Sequence, residues 1–257
     1  MCGIAGIIDY ESGYIDPALL LKMRDSLMHR GPDDAGIWLE GGTGLAHRRL
    51  SIIDLSSAGH QPFFSDDGNL VVVYNGEIYN YRELRNELKQ YGYIFNTKTD
   101  TEVLLKYYQH AGKECLDKLN GIFAFAIWDR NKKELFIARD RAGVKPLYYL
   151  ADSTVFRFAS EPKAIFASNI KPEINEPGLD ELIAFRYISG ENTIFKNVKR
   201  LLPGHYAIVK AGRPLQTERW WNLGEKIQNH PVIERPYEWF SEVLRDSVKY
   251  KIGRAHV

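Results

Sequence analysis

The chain has 257 residues, 44% hydrophobic and 26% charged, with 34 basic and 33 acidic side chains for a formal net charge of +1. This is the balance of an ordinary globular chain, and such evenly mixed charge excludes the electrostatic footprint of a nucleic-acid or anionic-membrane binder. No apolar run approaches the ~20 residues that span a bilayer, and the 2 cysteines, Cys2 and Cys115, support neither a disulfide framework nor a zinc site.

The amino terminus has no basic segment and carries Asp9 and Glu11 early, which argues against a signal peptide and for a reducing, cytoplasmic setting. In chain order, CGIAGII from Cys2 reads as a short buried strand. Asp16 is placed to cap a helix with Pro17 at its first position, continuing through LLLKMRDSLMH. The stretch 36–53, broken by GGTG at 41–44, reads as a hairpin, and LVVVY at 70–74 as a central strand. A helix is expected from about Tyr81, with Asn80 as cap and Glu83 three residues on. Another is expected near Asp100, with Thr99 and Glu102 in the same spacing and Val103, Leu104, Tyr107 and Tyr108 on its apolar face.

GIFAFAIWD at 121–129, a polar turn at 130–133 and ELFIARD make a second hairpin. LYYL and VFRFAS supply further strands, while EPKAIFAS and LDELIAFRY read as helical. Cys115, in ECLDKLNG, reads as a packed core thiol. After Leu202, PGHYAIVKAGR is a strand and turn, and RWWNL leads into a polar linker holding Pro231 and Pro236. Residues 237–251 form an amphipathic helix with Trp239, Phe240, Val243, Leu244 and Val248 on one side. Many strands flanked by paired helices imply an α+β domain of stacked sheets covered by helices.

The chemistry begins at Cys2, directly after Met1. Removal of Met1 would leave a free α-amine beside the thiol. An α-amine titrates near pH ~8 and a thiol near ~8.5, so the amine can relay the thiol's proton near neutrality without a histidine. A thiolate attacking an amide needs an oxyanion hole. In YNGEIYN at 74–80, Asn75 can donate from its side-chain amide and Gly76 can present a backbone N–H at close range. Taken alone, Asn-Gly reads more simply as a tight turn.

An amino-acid substrate also needs its charged ends held. Arg49 offers a bidentate guanidinium to an α-carboxylate, and Asp100 and Glu77 offer carboxylates to an α-ammonium. Each has an ordinary alternative: Arg48 and Arg49 as surface charges, Asp100 as a helix-start acid beside Thr99, Glu77 on a turn. HRGPDD at 29–34 joins a helix end to a strand, with His29 favouring the helix's negative end. His47, His60 and His205 lack metal-ligand spacing and read as structural, so no metal is expected.

Taken together, these positions resemble the class II glutamine amidotransferases, and most of all the glutamine-dependent asparagine synthetases. The matching stretches are CGIAG at 2–6, HRGPD at 29–33, LAHRRLSIID at 45–54, QP at 61–62, YNGEIYNY at 74–81, TDTEV at 99–103, GIFAFAIWD at 121–129, RDRAGVKPLYY at 139–149, FASEPKA at 158–164 and LPGH at 202–205. They run in order from residue 2 to 205, and the resemblance covers residues 2 to about 250; Asp34 departs from the glycine many relatives carry there. The resemblance implies an N-terminal nucleophile (Ntn) hydrolase fold, a four-layer α-β-β-α sandwich, over residues 2–212. It implies Cys2 as nucleophile with its own amine as base, and Asn75 and Gly76 as oxyanion hole. Arg49 and Asp100 would hold the glutamine charges, Glu77 would lie beside the ammonium, and the backbone of Arg49, Leu50, Ser51, Ile52 and Ile53 would line the pocket. Glutamine would yield a glutamyl thioester and ammonia, with water then releasing glutamate and no cofactor in this part of the enzyme.

In that family ammonia passes to a second domain, where ATP with Mg²⁺ activates aspartate for conversion to asparagine, and the full-length enzyme can be a homodimer. The second domain opens with a helix like 237–251 and continues to an S-G-G-x-D-S pyrophosphate loop. No such loop occurs in these 257 residues. The expectation is therefore a glutaminase half, then a linker and the first synthetase helix at 213–251 with its apolar stripe unpartnered. The final IGRAHV, 252–257, reverse-translates to the start of a widely used sequencing adapter and is expected to be an artefact. The alternatives are the corresponding domain of a synthase for glucosamine phosphate, phosphoribosylamine or glutamate, an enzyme amidating a surface-polysaccharide or secondary-metabolite acceptor, or a non-catalytic relative that keeps Met1.

Overall fold

The computed structural model describes residues 1–211, 213 and 215–252, so the expectations for Gly212 and for residues 253–257 lie outside the described residues. Among the described residues the strands are β1 (Gly3–Asp9), β2 (Asp34–Glu40), β3 (Thr43–Arg49), β4 (Phe63–Phe64), β5 (Leu70–Ile78), β6 (Gly121–Asp129), β7 (Glu134–Arg139), β8 (Tyr148–Ala151), β9 (Val155–Ala159), β10 (Val198–Arg200), β11 (His205–Lys210) and β12 (Gln216–Arg219). The helices are α1 (Pro17–Asp25), α2 (Tyr81–Gln90), α3 (Asp100–Ala111), α4 (Cys115–Lys118), α5 (Pro162–Phe166), α6 (Glu176–Phe185), α7 (Leu223–Gln228) and α8 (Pro236–Ile252). None of these helices is long and apolar enough to cross a membrane.

Two six-stranded sheets form, in the orders β10-β8-β9-β1-β3-β2 and β12-β11-β7-β6-β5-β4. Their pairings are antiparallel. Strand alternation assigns each apolar run to two cores at once. Val71, Val73, Ala124 and Ala126 point between the sheets and meet Ile4, Ile8 and Phe158. Val72, Tyr74, Phe125 and Ile127 point the other way, onto α2, α3 and α4. On the far side, Ala5 and Ile7 pack against Leu20 and Met23 of α1 and Ile165 of α5. The result is the four-layer α-β-β-α sandwich, and burial on both faces explains why these strands read as continuous hydrophobic runs.

Local chemistry moved one boundary and changed several caps. α1 forms with Asp16 accepting from Ala18 N, but it stops at Asp25, earlier than its apolar pattern suggested. Ser26 ends it by donating from Oγ to the Met23 carbonyl at 2.7 Å, and a single 3₁₀ turn, Met28–Arg30, follows. His29 therefore does not cap α1; its Nε2 lies 3.0 Å from Glu161 Oε1, which also accepts from Arg30 Nη1 at 2.8 Å.

Asn80 precedes α2 without capping it through its side chain. That side chain instead donates to the Lys118 carbonyl and accepts from Asn120 N, both at 2.9 Å, tying α2 to the entry of β6. Thr99 does cap α3, accepting from Glu102 N at 3.2 Å, but the reciprocal half is absent because Glu102 takes the N–H groups of Asn96 and Thr97. Asn75-Gly76 makes no turn: it lies extended within β5, opposite Ala124 and Phe123.

Beyond residue 212, expected as linker, Gln216–Arg219 adds an edge strand beside β11. Trp220 then stacks on Phe123 at 6.2 Å between ring centroids and donates from Nε1 to the Arg139 carbonyl. On α8, Trp239, Phe240, Val243, Leu244 and Val248 are 41–59% exposed. Cys115 is fully buried, and burial pushes its thiol far up from its usual range.

Candidate active site

β1, β3, β5 and the first turn of α3 open at one end of the sandwich onto a pocket of about 130 Å³. Cys2, Arg49, Leu50, Ile52, Ile53, Asn75, Gly76, Glu77 and Asp100 all line it. Ser51 does not; its backbone N–H instead donates to Asp33 Oδ2 at 2.8 Å, holding the HRGPD turn.

Cys2 is clamped where β1 begins. Its carbonyl accepts from Arg30 Nε at 3.0 Å, and its sulfur lies 3.4 Å from Leu50 N and 3.7 Å from the Leu50 carbonyl. Burial raises the thiol's pKa, while the Leu50 N–H and the nearby terminal amine pull it down. That amine, here on Met1, is itself lowered, first by burial and then by the charges of Arg30 and Lys145, against an opposing pull from Cys2. Met1 is 54% exposed at the pocket wall.

Arg48 and Arg49 are buried, not surface charges. Arg48 pairs with Asp25 at 2.6 Å. Arg49 gathers the 53–56 loop around its guanidinium, donating to the carbonyls of Ser56 at 2.9 Å, Ile53 at 3.3 Å and Asp54. A Cβ at Gly59 would lie 1.9 Å from Arg49 Nη2, so a side chain there would push the guanidinium from its place.

Asn75 follows the β5 alternation onto the inter-sheet face. It is 1% exposed, and its Nδ2 has no hydrogen-bond partner among the described residues. A buried amide donor left unpaired costs about 1–3 kcal/mol unless something arrives to accept from it. Gly76 is dictated by packing, since a Cβ there would come 2.4 Å from the Ile122 carbonyl and 2.7 Å from the Tyr74 ring.

Asp100 is buried at the start of α3, where its Oδ2 accepts from Tyr74 Oη at 2.8 Å and Ile78 N at 3.0 Å. Burial raises its pKa and those two donors oppose the rise. Gln61 completes the wall, its Oε1 accepting from Tyr74 N at 2.7 Å and its Nε2 donating to Thr101 Oγ1 at 3.3 Å. His47, one turn of alternation before Arg49 on β3, donates from Nε2 to the Tyr74 carbonyl at 3.1 Å, and its Nδ1 has no partner among the described residues. Burial lowers His47 to a pKa of about 4.

Gln61, Tyr74 and Lys145 line the pocket, yet residue-level reading assigned them no part in it. The lysine inside the largely apolar GVKPLYY run was the available signal. His60 and His205 are engaged elsewhere, with Asp34 Oδ2 and the Pro203 carbonyl. Among the described residues no three His, Cys, Asp or Glu side chains converge as a metal site.

A four-layer sandwich of this architecture with a cysteine at the edge of β1 is the fold of the Ntn hydrolases. In structure, the chain superposes with a TM-score of 0.65 on glutamine phosphoribosylpyrophosphate amidotransferase from B. subtilis, at 23% identity over 86% of this chain and 49% of that one. The profile of the glutamine amidotransferase domain family matches residues 1–221, and the chain belongs to that family. It is 40% identical over 229 residues to asparagine synthetase [glutamine-hydrolyzing] 3 of Bacillus subtilis, covering 87% of this chain and 37% of that protein. Asparagine synthetase [glutamine-hydrolyzing] 1 of the same organism is 41% identical over 213 residues, with 82% and 34% covered. Amidase chry2 of Gibberella zeae is 35% identical over 235 residues, with 87% and 34% covered. The chain thus spans about a third of the length of these relatives.

Proposed function

We propose that the chain hydrolyses glutamine to glutamate and ammonia, with Cys2 as nucleophile once Met1 has been removed. One observation carries the reading: the unpaired, buried Asn75 amide lines the same pocket as the Cys2 thiol. An acceptor oxygen entering there would complete a hydrogen bond that the folded protein leaves open, the arrangement an oxyanion hole requires.

The neutral α-amine of Cys2 takes the thiol proton, and the thiolate attacks the carboxamide carbon of glutamine. Asn75 Nδ2 and the Gly76 N–H receive the oxygen as it becomes anionic. The protonated amine returns its proton to the nitrogen as the C–N bond breaks, releasing ammonia and leaving a thioester. The same amine then deprotonates water, which attacks the thioester and frees glutamate. Arg49 receives the α-carboxylate, and Asp100 with Glu77 receives the α-ammonium. Arg49's guanidinium has five donors, enough to hold its loop carbonyls and still face a substrate.

In the complete enzyme we assign the ammonia to asparagine synthesis, the product that the names of the synthetase relatives carry, in a second domain where ATP and Mg²⁺ would activate aspartate. We place the reaction in the cytoplasm, where two free cysteines persist as thiols. The exposed apolar stripe of α8 supports a contact with such a domain, in the full-length protein or its dimer. The match to amidase chry2 favours a second reading, in which the ammonia reaches a different acceptor. A glutaminase assay on the chain beginning at Cys2, beside one that keeps Met1, tests the first half directly. Glutamate release from the former alone is expected, and equal rates or none would overturn it. Ammonia-dependent asparagine formation by the full-length protein separates the two acceptors.

A further inference from the structure

Lys145 stands at the reactive end of the pocket, beside Cys2. It is 9% exposed, and it lines the cavity together with Met1, Cys2 and Glu77. Its backbone is fixed from both sides: its N–H donates to Asp140 Oδ2 at 3.0 Å, and its carbonyl accepts from Arg139 Nε at 2.7 Å. Asp140 also accepts from Phe123 N at 3.1 Å, and Phe123 pairs with Gly76. The turn that presents Lys145 is thereby geared to the strand pair that presents Asn75-Gly76. Yet its ammonium has no hydrogen bond and no carboxylate within ion-pair distance among the described residues. A cation that lines the reactive pocket and is held by no ion pair is a charge available to the groups beside it.

Resting on the reading of Cys2 as nucleophile, we propose that Lys145 is an electrostatic positioning residue: its ammonium keeps the α-amine of Cys2 in its neutral, proton-accepting form and favours the thiolate beside it. Both effects have one sign, because a fixed positive charge disfavours a second cation and favours an anion. The charge contacts point the same way: with Met1 in place, Lys145 pushes down the Met1 amine, one residue before Cys2, and the Cys2 sulfur pulls Lys145 up against the larger lowering by burial.

The other charges around this group are fixed. Arg30 reinforces Lys145 at the amine and Asp33 opposes it. Arg49 and Asp100 act on the thiol in opposite directions, and Glu77 and Asp140 both stabilise the Lys145 ammonium. Lys145 and Arg30 are thus the two cations set against the amine, and Arg30 is already tied to Glu161 at 2.8 Å. Lys145 feels Glu77 and Asp140 only at longer range and makes no ion pair among the described residues.

The test compares Lys145→Met and Lys145→Arg with the parent chain, all beginning at Cys2. Two pH profiles are measured: the rate of Cys2 alkylation by iodoacetamide, and glutaminase kcat/KM. For Lys145→Met both acid-side midpoints are expected to move up by on the order of 0.5–1 pH unit, the scale of one charge several ångströms away in a partly screened site. Lys145→Arg restores the parent midpoints. The Met variant should melt close to the parent, since Lys145 makes no ion pair among the described residues and methionine is of similar length. Coincident midpoints in Met variant and parent, or an Arg variant shifted as far as the Met variant, would overturn the proposal. Should the parent alkylate at Cys2 but never release glutamate, the glutaminase reading fails while the alkylation profiles still decide the role of Lys145.

Discussion

Replacing Asn75 with alanine isolates the feature on which the chemistry turns. In the resting fold its Nδ2 is buried and bonds to nothing, so truncation removes no hydrogen bond at that nitrogen. It relieves an unsatisfied donor worth about 1–3 kcal/mol, offset by the small cavity left between the sheets. Stability should therefore change little. The transition state is different, because there the amide faces a developing oxyanion. Loss of one such donor costs about 2.7–4 kcal/mol, or roughly 10²–10³-fold in kcat. KM should move far less, because the neutral carboxamide oxygen of the bound substrate draws only weakly on the donor. Steady-state glutamate release with and without the substitution, beside thermal unfolding of both chains, reads all three quantities. A kcat within about threefold of the parent, equivalent to less than 1 kcal/mol, would refute the oxyanion assignment. So would a lost kcat accompanied by collapse of the melting temperature, since the donor would then be structural.

Cys2→Ala should abolish glutamine hydrolysis while the fold persists, because the sulfur's contacts with Leu50 are long, at 3.4 and 3.7 Å; circular dichroism and the glutaminase assay check both halves. Tyr74→Phe removes one of the two donors to Asp100 Oδ2 and should raise KM for glutamine several-fold with a smaller effect on kcat, read from saturation curves. His47 gives a pH signature. Its pKa falls from 6.5 to about 4 on burial, so between those values the unfolded chain takes up a proton that the folded chain refuses. Its contribution is complete above pH 6.5 and drains away as pH falls toward 4, amounting to on the order of 3 kcal/mol. Urea unfolding at pH 7.5, 5.5 and 4.5 should show that decline, and His47→Phe should flatten the part of it that His47 supplies.

The layers of the sandwich were legible because both-face burial leaves a distinct trace. LVVVY and GIFAFAIW are too apolar for a one-sided sheet, and paired helices flank them. Register was not legible. Nothing local says that β5 runs straight through Asn75-Gly76, a dipeptide whose intrinsic preference is a turn. Pairing with β6 as far as Ile78↔Gly121 overrides that preference, and it places the Asn75 amide between the sheets. Arg49 and Asp100 were readable as charges but not as buried ones, because burial depends on a loop and a helix start brought in from elsewhere in the chain. Lys145 and Gln61 reach the pocket only through tertiary approach, the former from the turn after β7. The helix end that shifted, at Ser26, and the cap that failed, at Asn80, did so where a polar side chain found a partner that local sequence does not reveal.

The most direct test treats the freshly purified chain with a diazoketone analogue of glutamine and reads the amino-terminal peptide by mass spectrometry. The account predicts a peptide that begins at Cys2, with the analogue bonded to its sulfur, and protection by excess glutamine. A peptide that still begins with Met1, or a label found on Cys115 or nowhere, would contradict it.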